Sequence, residues 1–254
     1  MAGIRAALHA RRHTALLVAI VVMIAMRPLI GDVGDAPVLF SLALLTVMLI
    51  ALFIVQVDER SGESADFGPG RARWPIVGWV LAALAVAERI AVFIVPSPQL
   101  LLVATICWLL FFAFVSWTQL RGVLHHRVVT SETIAMSISV YLLLGLSWGL
   151  LYVVLFLLDP GSFNLGAHAP GSADPVRDWG HIFPTFLYFS LTTISTIGFG
   201  DITPLSLRAR YAAVAEGITA QFYLAILVAR LVGMHMSRSA EPGAHDVRRA
   251  PPTE

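Results

Sequence analysis

Thr196, Ile197, Gly198, Phe199, Gly200 and Asp201 form the stretch of this sequence with the most specific chemistry. Glycine takes positive φ without steric penalty, so a backbone with glycine at every second position can turn successive carbonyls toward one side. A row of such oxygens can replace the water around a cation. The chemistry on offer is therefore coordination by main-chain oxygen, with no catalytic side chain.

An unwound segment of this kind has to be held in place. Residues 181–195 (HIFPTFLYFSLTTIS) are apolar but too few to cross a hydrocarbon core about 30 Å thick, which takes about 20 residues of helix. Pro184 near their start suits a first helical turn, where its missing N–H costs nothing. A half-helix that enters and stops is the natural reading. Unwound backbone after it is tolerated at membrane depth only if it is buried in protein or lines a wet path.

The rest of the chain supplies the spans. Of 254 residues, 57% are hydrophobic and 13% charged. Six apolar blocks are long enough to cross: 14–30, 38–57, 74–95, 100–120, 134–158 and 212–236. The expected fold is an all-α membrane protein of six transmembrane helices with a re-entrant pore half-helix and an extended segment after it. The first block lacks a small-residue cleavage site and reads as a retained helix. Most of the 17 basic residues, all arginine, fall in the N-terminus, residues 58–73, the linker 121–131 and the tail. Positive charge favours the cytoplasmic side, so both termini are expected there, in the plasma (inner) membrane.

The expected layout is a cytoplasmic N-terminus (1–13), a four-helix peripheral domain (14–120), a cytoplasmic linker (121–131), a pore domain (132–236) and a disordered cytoplasmic tail (237–254). Residues 159–180 read as an exposed loop rich in Gly, Pro, Ser and Asp. A net charge of +1 gives no basic face for nucleic acid. Cys107 lies in an apolar block, so no disulfide framework is expected. There is no HExxH spacing and no Gly-x-Ser-x-Gly elbow, and no enzyme activity is expected.

Residues 192–201 (TTISTIGFGD) resemble the signature filter of the potassium-channel family, and the close resemblance runs from about Trp179 to Val232. It implies a six-transmembrane, single-pore-loop channel of prokaryotic type. The carbonyls of Thr196, Ile197, Gly198 and Phe199, with the Thr196 hydroxyl, would hold K+ as the permeant ion, with Gly200 completing the filter and no cofactor. Asp201 would anchor its outer end. One filter per chain cannot close a ring, so three identical subunits would join it in a homotetramer within the bilayer. The half-helix would aim its partly negative end at the central cavity.

Carried forward, the family's pattern puts Gln221, Leu224, Val228 and Val232 along the cavity, a single helical stripe. Glu216 and Arg230 fall about 140° and 180° from Gln221 and turn away from it. Glu216 is expected to bond to the back of the half-helix near Thr192 or Thr193, and Arg230 to reach the inner interface. Some family members carry Glu where Thr192 stands, so a carboxyl pair with Asp201 is absent; Tyr188 is placed to donate to Asp201 instead. The frequent hinge glycine falls at Ala220, and Gly217, one turn earlier, is the possible substitute.

The peripheral helices carry less information. Residues 100–120 contain no charge, so a voltage sensor, which needs several charges at about 2.3 kcal/mol per 100 mV each, is not expected. Glu88 and Arg89 read as structural, and His125 and His126 as linker residues. The function that follows is a potassium-selective channel conducting passively and not classically voltage-gated. The alternatives are a weakly selective cation channel of the same architecture, or the pore subunit of a potassium uptake system. Residues 31–37 (GDVGDAP) have no half-helix before them and are not a second filter.

Overall fold

The computed structural model describes residues 11–30, 36–60, 74–94, 97–125, 130–169, 171 and 178–239. Hydrocarbon offers backbone N–H and C=O groups no partners, so apolar segments coil to satisfy their own. The helices are α1 (Arg12–Ile30), α2 (Ala36–Arg60), α3 (Trp74–Ile94), α4 (Pro98–His125), α5 (Ser131–Leu158), α6 (Trp179–Ile194) and α7 (Leu207–Ser239). Among the described residues, four helices are long and apolar enough to cross a membrane, over Leu39–Gln56, Pro98–Leu124, Ser131–Leu158 and Leu207–Arg230. Arg12–Met26 forms a shorter apolar helix.

Several boundaries differ from those expected. α5 begins at Ser131 because Thr130 caps it: the Thr130 hydroxyl accepts from the Thr133 N–H at 3.2 Å, and Thr133 completes a reciprocal box. α4 starts at Pro98, with Ser97 Oγ accepting from the Leu100 N–H. α7 starts five residues earlier than the apolar block, at Leu207, because the Ser206 hydroxyl accepts from the Ala209 N–H. Its C-terminal end continues to Ser239, so residues 237–239 of the expected disordered tail are helical. Residues 240–254, His126 and the side chains of Glu88, Arg89 and His125 lie outside the described residues.

α5 is the organising helix. It packs along α4 on one side and α6 on the other, and also touches α1 and α7. Its GLSWG run places Gly145 and Gly149 one turn apart against α6. A Cβ at Gly149 would lie 3.1 Å from the Leu187 Cα, and one at Gly145 would lie 3.1 Å from the Leu191 Cδ2. This is a small-xxx-small contact, which lets two backbones approach where lipid supplies no hydrophobic drive between helices.

Around it an aromatic core joins α5, α6 and the loop between them. Phe163 meets Tyr152, Phe186 and Phe189 edge-on, with ring centroids 4.8–5.8 Å apart. Phe40 of α2 reaches Phe183 on the back of α6, with centroids 5.6 Å apart. α1 is also tied to α5 by Glu132 in the first turn of α5, whose carboxylate accepts from the His13 and Thr14 N–H groups and the Thr14 hydroxyl. It thereby serves as an N-terminal cap for α1 supplied from another helix.

Candidate functional site

The half-helix α6 starts at Trp179, two residues ahead of the expected start, so Pro184 sits inside the helix and not in its first turn. There it leaves the Gly180 carbonyl without its i+4 donor. The far end matters more. A helix leaves its last four carbonyls without intrahelical donors, and here each of the four is served by the protein. Leu191 O accepts from the Ser195 N–H at 3.2 Å and from its hydroxyl. Thr193 O accepts from the Thr196 N–H at 3.0 Å. Thr192 O accepts from the N–H groups of Ile197 and Gly198, at 2.9 and 3.1 Å. Ile194 O accepts from the Tyr141 hydroxyl of α5 at 2.8 Å.

Two of these bonds, Thr196 to Thr193 and Ile197 to Thr192, make a Schellman motif, which requires a left-handed residue just past the helix. Thr196 fills that position with φ 62°. It is the one non-glycine residue with positive φ among the described residues. Gly198 and Gly200 follow with φ 54° and 78°. The backbone therefore alternates in hand at Thr196, Gly198 and Gly200.

The consequence lies in the carbonyls. Among the described residues, no N–H or hydroxyl donates to the carbonyls of Thr196, Ile197, Gly198 or Phe199. Residues 195–201 are all exposed on the chain, whereas Ile194 and Ile202 on either side are 1% and 3% exposed. An exposed run of unpaired carbonyls is thus held between two buried anchors.

The anchor that follows the carbonyl row is built around Asp201. Tyr188 Oη donates to its Oδ2 at 2.8 Å, the Ile202 N–H donates to Oδ1 at 3.1 Å, and His168 Nε2 lies 3.3 Å from Oδ2. Partial desolvation pushes the Asp201 carboxyl up, but the bonds from Tyr188 and the backbone, with the nearby His168, outweigh it and hold the group below the usual carboxylate range. The Tyr188 ring also lies parallel to that of Phe199, at 6.4 Å. The loop 159–180, expected to be exposed, takes part here: Phe163–Asn164 (β1) pairs antiparallel with Thr203–Pro204 (β2), and Ser162 O accepts from the Leu205 N–H at 2.8 Å. Ser162, Phe163 and Leu165 are buried.

Behind α6, Glu216 bonds to the half-helix as expected, but through Ser190 and not through Thr192 or Thr193. The Thr192 and Thr193 hydroxyls do not meet Glu216; both donate back to Phe189 O. Ser and Thr hydroxyls in helices commonly bond this way, because the preceding turn's carbonyl is the nearest acceptor. Glu216, fully buried, instead accepts from Tyr152 Oη of α5 at 2.5 Å and lies against the Ser190 hydroxyl of α6. Ser190 Oγ also donates to Gly145 O at 2.7 Å. One hydroxyl proton cannot serve two acceptors, so both contacts close when the carboxyl supplies the second proton. Three helices meet at this carboxyl.

On α7, Glu216, Ala220 and Tyr223 face into the chain and are buried, and the Tyr223 hydroxyl donates to Ser137 O at 2.6 Å. Gln221, Leu224, Val228 and Val232 are exposed. The helix runs unbroken through Gly217, where a Cβ would meet nothing within 4 Å, and Arg230 is half-buried.

Residues 175–236 match the family described as Ion channel. No curated protein and no solved structure matches the chain. The matched segment holds α6, the alternating backbone, β2 and most of α7, and it supports an ion-channel function for this part of the molecule. Tyr152, Ser190, Tyr141 and His168 escaped the sequence reading. Tyr152 carried a signal, since a tyrosine inside an apolar span needs a partner for its hydroxyl. The others become legible only when distant elements meet.

Proposed function

We propose that the chain is the subunit of a homotetrameric, potassium-selective channel that conducts passively across the plasma membrane, with both termini in the cytoplasm. Thr196, Ile197, Gly198 and Phe199 supply the carbonyl oxygens that replace the hydration shell of K+, and Asp201 fixes the outer end of the row. The observation that carries this reading is the contrast at the end of α6: every helix-terminal carbonyl has a donor from the protein, while those of Thr196, Ile197, Gly198 and Phe199 have none among the described residues. Unpaired carbonyls in an apolar setting cost several kcal/mol each unless a cation or water meets them.

The exposed stripe Gln221, Leu224, Val228 and Val232 suits the inner lining of the same path, mostly apolar with one polar ring. Ions would pass partly dehydrated from site to site, each displaced by the next. The experiment is tracer flux into liposomes loaded with K+. Wild-type protein should accumulate tracer K+ and exclude Na+, and Gly198→Ala should abolish uptake while leaving the oligomer intact. Uptake of both ions at equal rates would refute selectivity.

A further inference from the structure

A groove of about 300 Å³ opens between α4 and α5, away from the carbonyl row, lined by Ala113, Ser116 and Trp117 of α4, Leu144 and Trp148 of α5, and Thr219 of α7. It lies within the lengths of α4 and α5 that are apolar enough to span a membrane. Its surface is almost wholly apolar, with one feature that a plain packing defect would not have. Ser116 is 3% exposed, and its hydroxyl has no hydrogen-bond partner among the described residues. A buried hydroxyl without a partner is costly, so the groove asks for an occupant with an acceptor oxygen as well as hydrocarbon.

The rim adds charge. One turn beyond Trp117, toward the end of the span, the Arg121 guanidinium lies over the Trp117 ring, 4.6 Å from its centroid. Arg121 is five residues past Ser116, about 7.5 Å further along the helix axis at 1.5 Å per residue. That is about the thickness of the headgroup layer on one side of a bilayer. Apolar groove, hydroxyl and guanidinium thus follow one another in the order hydrocarbon, ester oxygen and phosphate.

We propose that this groove is a binding site for an anionic phospholipid. One acyl chain lies along Ala113, Leu144 and Trp148, an ester oxygen accepts from Ser116, and the phosphate pairs with Arg121 against the Trp117 face. A basic side chain at a membrane interface favours anionic over zwitterionic headgroups, and Arg121 is the cation at the rim that the groove's own wall holds in place. The site rests on α4 and α5 spanning the bilayer, not on the ion preference proposed above.

The test is native mass spectrometry of the full-length protein in detergent, titrated with phosphatidylglycerol and, separately, phosphatidylcholine. Wild-type protein should bind phosphatidylglycerol roughly fivefold more tightly, the factor carried by one basic residue near the headgroups. Arg121→Gln should bring the two lipids level. Ser116→Ala should weaken both, and Ala113→Trp, which fills the groove, should remove both. Equal affinity for the two lipids on the wild type, or phosphatidylglycerol retained by Ala113→Trp, would overturn the proposal. So would loss of the oligomer in Ala113→Trp with lipid binding unchanged, since the groove would then seat a second copy of the chain. No current is read, so this outcome and that of the ion pathway stand apart.

Discussion

The Tyr188 hydroxyl donates to the Asp201 carboxylate at 2.8 Å, joining the middle of the half-helix to the residue that ends the carbonyl row. With His168 beside it and the Ile202 N–H on the other oxygen, this bond holds Asp201 in its charged form. Because its pKa is lower folded than unfolded, the stabilisation is fully present above the ordinary value of 3.8 and disappears as pH falls through the lowered one.

Tyr188→Phe removes the largest of the lowering contributions. Acid applied on the side of the outer mouth should therefore reduce conductance at a higher pH in the variant than in the wild type. Recording conductance against pH on that side checks it, and superimposable curves would show that the bond does not govern the mouth.

Glu216 should tolerate an amide better than a deletion. In Glu216→Gln the amide N–H can donate to Ser190 Oγ and the amide oxygen can accept from Tyr152, so both partners stay satisfied. Glu216→Ala leaves the Tyr152 and Ser190 hydroxyls facing a buried cavity and should cost about 2–4 kcal/mol. Thermal unfolding of the purified variants should place Glu216→Gln near the wild type and Glu216→Ala well below it. The reverse order would mean that a charged carboxylate is required there.

Thr196 should trade stability for function. Its φ of 62° costs a side-chain-bearing residue about 1–2 kcal/mol, and a β-branched one no less. Thr196→Gly should accordingly raise thermal stability by about 1 kcal/mol while degrading ion discrimination, since the hydroxyl is lost and the backbone loosened. Gly198→Ala should do the opposite to the backbone: nothing lies within 4 Å of the added Cβ, so its penalty is strain at φ 54° alone. Paired unfolding and flux measurements on the two variants check both signs.

Gly149 should resist any side chain. A Cβ there meets the Leu187 backbone at 3.1 Å, which cannot rotate aside as a side chain could, so Gly149→Ala should cost about 1–3 kcal/mol by overpacking. At Gly145 the close neighbour is the end of the Leu191 side chain, at the same distance, with Ser190 Oγ and Ile194 Cγ2 in ordinary contact at 3.7 and 4.0 Å, so Gly145→Ala should cost less. Unfolding midpoints of the two variants, compared directly, decide the order.

Much of this was legible in the sequence, and the reasons are physical. Apolar blocks must coil in hydrocarbon, so composition marks where helices lie, although caps such as Thr130 and Ser206 moved their ends by several residues and, among the described residues, four helices rather than the expected six are long and apolar enough to cross. The positive φ values at Gly198 and Gly200 follow from what glycine permits, and the pairing of Tyr188 with Asp201 from the family's pattern. The left-handed Thr196 was hidden, since a β-branched residue is among the worst candidates for that conformation and only the Schellman bonds around it explain its presence. The partners of Glu216 were hidden for another reason: Tyr152 is 64 positions away in sequence, and no local spacing records contacts between helices. Asp159 illustrates the loop between α5 and α6. It read as an exposed turn, yet its carboxylate accepts from the Gly161 N–H and the Ser162 hydroxyl, folding the chain back so that β1 reaches β2.

Whether the carbonyls of Thr196 to Phe199 select K+ is decided by the reversal potential of purified protein in a planar bilayer with K+ on one side and Na+ on the other. Reversal is expected close to the K+ equilibrium potential, with the current lost in Gly198→Ala. A reversal midway between the Na+ and K+ potentials, or a K+-selective current that survives in Gly198→Ala, would contradict it.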